Sequence, residues 1–397
     1  MPIQIILKGL NDLPLKAFGQ IYYSEQGELR ALQAETDQYG LLSFDDIATW
    51  SEMHIVFFGG FWTLMLSAAQ LPKELVCPVL PNCGERMWWH TVLGIETPDP
   101  TAGDGIAIGV VDTPFAPVAG LEHASVQNLA GSAYQGEAGT IPSHGETVCR
   151  LIGQRMDDPT RFGGVAPGAK IFCIDAERDA SLNSAVASAA IVKLAREYEC
   201  DLINLSAGRR EPTEGLRQAI SEAREYGALC IVAAGNEPDP QVSYPARYPE
   251  SIAVGAIGLR DWGPNRSYAR VLSDWAGSQP DMTGNIGNCA IFHYPKSAYG
   301  EGLDVVGPGV GLVIHRGAEP IFDAVGTSFA SPLVVGFLAK VLAKSNEYKA
   351  LRRGPARAAF AERTLRSVCR RTGIGVEREG AGVPRLPAGW PVRDLEN

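Results

Sequence analysis

From Ile106 onward the chain alternates between short, unbroken apolar runs and longer stretches with helical periodicity, and this alternation restricts the fold more than any other feature. Ile106 to Val111 is a continuous apolar run ending in Asp112. Ala185 to Tyr198 and Thr213 to Tyr226 read as helices, whereas Leu202 to Leu205, Leu229 to Ala233 and Ile252 to Ala256 are short apolar strands. Strands covered on both faces need apolar residues throughout, and parallel neighbours need a crossover helix between them. The order therefore predicts an α/β fold with a doubly wound, mostly parallel sheet over residues 104–397. In such sheets functional groups gather beyond the carboxyl ends of the strands. Asp112 and Asn236 both fall at such ends.

The first 70 residues follow another pattern. Ile3 to Leu7, Gly19 to Tyr23 and Leu29 to Ala34 are short apolar or alternating runs, separated by turn signals at Asn11-Asp12, Glu25-Gln26-Gly27 and Asp37-Gln38-Tyr39-Gly40. Their spacing predicts a small β-rich, sandwich-like domain over residues 1–70. The segment from Glu35 to Phe44 resembles a hairpin of the carboxypeptidase-regulatory-like sandwiches. Ile55 to Ala69 is the most apolar stretch, but it is shorter than the roughly 20 residues of a membrane-spanning helix, and Gly59-Gly60 splits it into two strands. Residues 71–103, rich in Pro, Cys and Trp, read as a linker.

Charge and cysteine usage narrow the function classes. Acidic residues outnumber basic ones, 45 against 35, for a net charge of −10, which speaks against nucleic acid or an anionic membrane as a partner. The basic stretch from Arg352 to Arg371 is broken by acidic and apolar residues and reads as a solvated helical face, followed by a Gly/Pro-rich tail around Gly380 to Trp390. The N-terminus shows no basic region followed by an apolar core and a cleavage site, so a cytoplasmic protein is expected. The eight cysteines then default to free thiols, with a Cys77–Cys83 bridge as the main exception.

The run Gly326-Thr327-Ser328-Phe329-Ala330-Ser331-Pro332 enters a long apolar helix, Leu333 to Leu342. A serine there sits beside unpaired N–H groups and the positive end of the helix dipole. By itself this describes a helix cap as well as a nucleophile. A nucleophilic serine needs a base, and the base needs a third group to orient it. His144, in Ser143-His144-Gly145, and Asp112, at the end of a buried strand, supply both. Asp112 precedes His144 by 32 residues, and His144 precedes Ser328 by 184.

In this order and context the chain resembles the subtilisin-like serine peptidases, or subtilases, over roughly Gly105 to Leu342. Val110-Val111-Asp112-Thr113, Ser143-His144-Gly145 and Gly326 to Pro332 resemble the three catalytic motifs. Gly164-Val165-Ala166-Pro167, Ile203-Asn204-Leu205-Ser206, Ala233-Ala234-Gly235-Asn236 and Tyr244 to Pro249 resemble the connecting segments. The resemblance implies Ser328 as nucleophile, His144 as general base, Asp112 as its orienting partner and Asn236 in the oxyanion hole. It implies that Ser206, Ala207, Gly208, Ala234 and Gly235 form walls against which an extended peptide pairs. Arg209, where the family often has a small residue, either narrows the groove and favours an acidic substrate residue or points to solvent.

Departures from the family pattern carry further expectations. Glu146 and Thr147 stand where many subtilases carry threonine and a second histidine, and Glu146 is expected to add negative charge beside His144. Leu333 replaces a frequent histidine, while His123 matches a structural one. Cys149 is either a reactive thiol near His144 or an inert core residue. No cofactor is required and no metal site is assigned; the resemblance allows structural calcium, common in the family, without placing it on particular residues. The expected partner is a peptide or protein substrate. The activity expected is serine endopeptidase, with a peptide macrocyclase or transpeptidase and a catalytically dead peptide-binding module as alternatives. The N-terminal region then reads as a substrate-docking domain or as a propeptide cleaved in the linker.

Overall fold

The computed structural model describes residues 2–25, 28–45, 47, 49–82, 84–129, 141–178 and 181–387. Among these, a nine-stranded sheet runs in the order Thr283–Ile286, Cys289–His293, Ser251–Leu259, Leu229–Ala233, Leu202–Leu205, Ala107–Asp112, Lys170–Asp175, Ala124–Asn128, with Val305–Pro308 also paired to Ser251–Leu259. Every pairing is parallel except those of Cys289–His293, which turns back against both of its neighbours. This is the α/β sheet that the alternation predicts. Lys170–Asp175 and Ala124–Asn128, which extend the sheet beyond Ala107–Asp112, add strands that the apolar runs do not announce.

Ser184–Arg196 and Glu214–Glu225 cover one face of the sheet. The helix Thr327–Leu342 packs on Leu202–Leu205, Leu229–Ala233 and Ser251–Leu259, and from Ala330 to Leu342 every residue is buried. A helix apolar on all sides is stable only when surrounded in this way. Asp112, Ser206 and Asn236 lie at or just beyond the carboxyl ends of neighbouring central strands.

At the N-terminus, two small sheets face each other. One pairs Leu41–Phe44, Ile3–Lys8 and Glu74–Val76; the other pairs Glu28–Glu35, Ala17–Glu25, Trp50–Phe57 and Leu64–Ser67. A Cβ on Gly19 would lie 2.4 Å from Leu42 Cδ2, so glycine lets the sheets close on each other. Trp50–Phe57 and Leu64–Ser67 are the antiparallel strands expected around Gly59-Gly60. Gln26 and Gly27, of the turn before Glu28–Glu35, lie outside the described residues.

The sandwich core runs on into the core around the α/β sheet. Thr63 N–H donates to Asp323 Oδ1 at 2.7 Å, Met65 N–H to Arg266 C=O at 2.9 Å, and Tyr268 N–H to Thr63 C=O at 2.8 Å. Residues 71–103 include the strand Glu74–Val76 and the helix Trp88–Val92, whose two tryptophans are buried. Cys77 is a buried free thiol that burial pushes up to about 12, while Cys83 lies outside the described residues.

In the basic C-terminal stretch Arg352, Arg363, Arg366, Arg370 and Arg371 are exposed, as a solvated face requires, but two arginines depart from it. Its helix is Pro355–Val368, and Arg353 and Arg357 both reach Asp201 Oδ1, at 3.0 and 2.8 Å, where they neutralise a buried carboxylate. Residues 388–390 of the tail expected around Gly380 to Trp390 lie outside the described residues. Among the described residues no helix is long and apolar enough to cross a membrane.

Candidate active site

Asp112 ends its strand with a buried side chain, and Oδ1 accepts the following Thr113 N–H at 2.8 Å. The same oxygen lies 2.7 Å from His144 Nδ1, which fixes the face the imidazole presents. His144 opens the helix His144–Gly153 directly after its cap, where Ser143 Oγ accepts the Glu146 N–H at 3.1 Å. Gly145 is required by contact: a Cβ there would stand 2.1 Å from Thr113 C=O, and its N–H donates to Thr113 Oγ1 at 2.8 Å. The histidine helix is thereby seated on the residue that follows Asp112.

Ser328 is the second residue of Thr327–Leu342, after Gly326 in the left-handed region at φ 148°. Asn236 Oδ1 accepts the Thr327 N–H at 2.9 Å and the Thr327 hydroxyl at 3.0 Å. Phe329 and Ala330 N–H groups donate to Gly326 C=O. Among the described residues the Ser328 N–H has no protein partner. With its carboxamide oxygen occupied by Thr327, Asn236 keeps its Nδ2 donor beside Gly326, 3.3 Å from where a Cβ would sit. The Phe329 ring lies 5.1 Å from the His144 ring, which brings the histidine and serine segments together.

Pro332 explains a further feature. In a regular helix its N–H would bond the carbonyl four residues back, that of Ser328, but proline has none to give. Ser206 Oγ donates to that carbonyl instead, at 2.6 Å. Asn204 Nδ2 donates to Ser206 Oγ at 2.9 Å, and Asn204 Oδ1 accepts the Ser331 hydroxyl at 2.7 Å. Asn204 and Ser331 belong to this support although no reading of single motifs assigned them a role. The signal was present in the helix-interior proline, which leaves a carbonyl needing a donor.

The structure brings Ser206, Ala207, Gly208, Arg209 and Gly235, of the sequence-predicted wall residues, around one cavity of about 420 Å³ beside Ser328. Ser206 spends its hydroxyl on the helix, so only its backbone is available to the wall. Ala207 and Gly208 continue that wall, and Ala233 and Gly235 form the opposite one. Ala234, expected in that wall, does not line the cavity: its side chain is fully buried in the core. Ser243 packs closely against both walls: a Cβ on Gly208 or Gly235 would lie 2.5 or 2.9 Å from its hydroxyl. Arg209 is exposed and donates to Ser184 Oγ at 2.6 Å and Thr213 Oγ1 at 3.1 Å, both neutral partners. Arg210 Nε donates to Glu237 Oε2 at 3.0 Å across the mouth.

Glu146 departs from its expected part. Its carboxylate is buried between Arg150 and Arg316 and so does not stand as an uncompensated charge beside His144. His123 is held neutral by burial, which lowers it to about 4, in keeping with a structural role. Cys149 is fully buried; hydrogen bonding to it, together with burial, holds the Cys173 thiol well above its ordinary range. Among the described residues no group of three or more His, Cys, Asp or Glu is placed to hold a metal ion.

A mostly parallel sheet flanked by helices in this way, with the helix Thr327–Leu342 buried against its central strands, is the subtilisin-like fold. Residues 103–375 match the subtilase family, and the chain belongs to that family of serine endopeptidases. It is 29% identical over 247 residues to M-protease of Shouchella clausii (strain KSM-K16), covering 61% of this chain and 55% of that protein. It is 30% identical over 248 residues to subtilisin BL of Lederbergia lenta, covering 61% and 78%. The chain thus matches about half the length of M-protease. Among solved structures, the prenylagaramide maturation protease PagA superimposes with a TM-score of 0.51 at 22% identity, over 72% of this chain and 92% of that one. A protease from Pseudoalteromonas arctica PAMC 21717 does so with a TM-score of 0.52 at 19% identity, over 72% and 89%. These two likenesses concern the fold.

Proposed function

We propose that this protein is a serine endopeptidase that makes limited cuts in a specific peptide or protein through an acyl-enzyme on Ser328. The observation that carries the reading is the 2.7 Å contact from Asp112 Oδ1 to His144 Nδ1, on a helix whose imidazole stacks beside the residue following Ser328. Ser328 Oγ attacks the scissile carbonyl while His144 takes its proton. Asn236 Nδ2 and the Ser328 N–H hold the oxyanion, and they cost little to reorganise because Thr327 and the helix already fix them. Collapse of the tetrahedral intermediate breaks the C–N bond as His144 protonates the leaving amine. Water, activated by the same imidazole, then releases the acyl group. The chemistry runs on side chains and water, with no cofactor.

The substrate lies extended between Ser206–Gly208 on one side and Ala233 and Gly235 on the other. The paired charges of Arg210 and Glu237 at the mouth favour selective cutting over general digestion. The working location is the cytoplasm, and the N-terminal sandwich is the docking element for the substrate.

The test is incubation of the full-length protein with a mixed peptide library, followed by mass-spectrometric mapping of new termini. Wild type generates new termini at a restricted set of sequences, and Ser328→Ala generates none. Equal cleavage by both proteins contradicts the reading, as does indiscriminate cleavage by wild type. Products joined to an added amine in place of free carboxyl termini would assign it to transpeptidation.

A further inference from the structure

Ser143-His144-Gly145-Glu146 reads as a capping box, in which the glutamate carboxylate should return to the N-cap backbone. Only half of that box forms. The Glu146 N–H reaches Ser143 Oγ, but the carboxylate turns inward, 1% exposed, and Oε1 accepts Arg150 Nε at 2.9 Å. Arg316 Nη2 approaches both carboxylate oxygens, at 3.3 and 3.4 Å. Arg150 is itself 2% exposed and donates through Nη1 to Ala119 C=O at 3.0 Å.

Each contact ends on a different part of the site. Glu146 and Arg150 lie on the helix that begins with His144. Ala119 lies on the loop that follows Asp112. Arg316 ends the first strand of the hairpin Val310–Arg316/Glu319–Val325, whose second strand leads into Gly326 and Ser328. The hairpin is closed at its base by Gly326 N–H donating to Gly309 C=O at 2.8 Å, which joins it to the start of the serine helix. A buried carboxylate without these partners would be costly, which keeps the arrangement singular.

We propose that Glu146 is a positioning residue, whose one buried carboxylate fixes, through Arg150 and Arg316, the three segments carrying Asp112, His144 and Ser328 relative to one another. The inference rests on the peptidase reading above. It predicts a rate effect without a binding effect, because Glu146 does not line the substrate cavity.

The experiment compares full-length wild type, Glu146→Gln, Glu146→Asp and Arg316→Met. Their steady-state kinetics are measured on a cleaved peptide, and the low-field proton NMR signal of the His144 Nδ1–H is recorded. Glu146→Gln should lower kcat by roughly 10–100-fold, the scale of a small misplacement of reacting groups, with KM within about twofold. Glu146→Asp, which keeps the charge, should fall between Glu146→Gln and wild type. Arg316→Met leaves the Glu146–Arg150 pair in place, tests the link should Glu146→Gln not fold, and should lower kcat in the same direction. Combined with Glu146→Gln it should add less than its separate effect. The NMR signal should shift in Glu146→Gln. Folded variants with kcat within about twofold of wild type, losses confined to KM, or an unmoved NMR signal would overturn the proposal. If wild type cleaves nothing, the peptidase reading fails, while the NMR comparison still decides whether Glu146 positions His144.

Discussion

Asp112 and Asp323 are both buried carboxylates, one at the cleft and one where the N-terminal sandwich meets the hairpin leading to Ser328. Asp112 holds the Thr113 N–H and an imidazole that becomes cationic during the proposed reaction. Asp323 has the Thr63 N–H at 2.7 Å, while its Oδ2 has no partner among the described residues. Burial pushes Asp323 up to about 7 from an ordinary 3.8. The two differ in what they hold: the cleft pairs its carboxylate with a partner able to carry the opposite charge, whereas the junction keeps an acid neutral. A buried carboxylate is thus met by a partner able to carry charge in one place and by a raised pKa in the other.

The largest expected effect breaks the cleft member of this pair. Asp112→Asn leaves the shape intact but removes the acceptor that selects the imidazole tautomer, and kcat should fall by about 10⁴-fold with little change in melting temperature. A loss below about tenfold would mean that Asp112 does not orient His144. The measurement is steady-state kinetics beside a thermal melt of the same preparation.

The second effect concerns the junction and is read as stability against pH. Asp323 has a raised folded-state pKa, so its contribution is fully present below about 3.8 and is lost as pH rises through about 7. His123, His293 and His315 act in the opposite sense: burial lowers each to about 4, so their contribution is present above 6.5 and lost as pH falls toward 4. Wild-type stability alone mixes the two trends. The difference between Asp323→Asn and wild type isolates the first, and should move in favour of the variant by on the order of 4 kcal/mol between pH 4 and pH 8. Urea unfolding across that range checks it, and a difference independent of pH contradicts it. At a pH where both proteins are folded, kcat should agree, which separates the junction from the cleft.

Legibility in the sequence followed the range of the interactions. Local patterns carried the central strands, the helices on them and the residues Asp112, His144, Asn236 and Ser328, because apolar runs and short motifs are written in neighbouring residues. Ala124–Asn128 is short and half-exposed, which leaves no apolar run to read. The hairpin Val310–Arg316/Glu319–Val325 lay within an apolar stretch interrupted by glycines, where periodicity alone does not settle the element. What no local pattern conveyed were pairings across long separations: Glu146 with Arg316, Asp201 with Arg353 and Arg357, and Ser206 with the Ser328 carbonyl. Glu146, two residues after His144, looked like added negative charge, and only the two arginines packed against it reversed that expectation.

The central claim is that Ser328 is a nucleophile activated by His144 and not a helix cap. It is tested most directly by reaction of the full-length protein with a fluorophosphonate, followed by peptide mapping. One phosphonyl group per chain is expected, located on Ser328, with no incorporation in Ser328→Ala and strongly slowed incorporation in His144→Ala. Absence of label on folded wild type, or label on another residue that persists in Ser328→Ala, would contradict it.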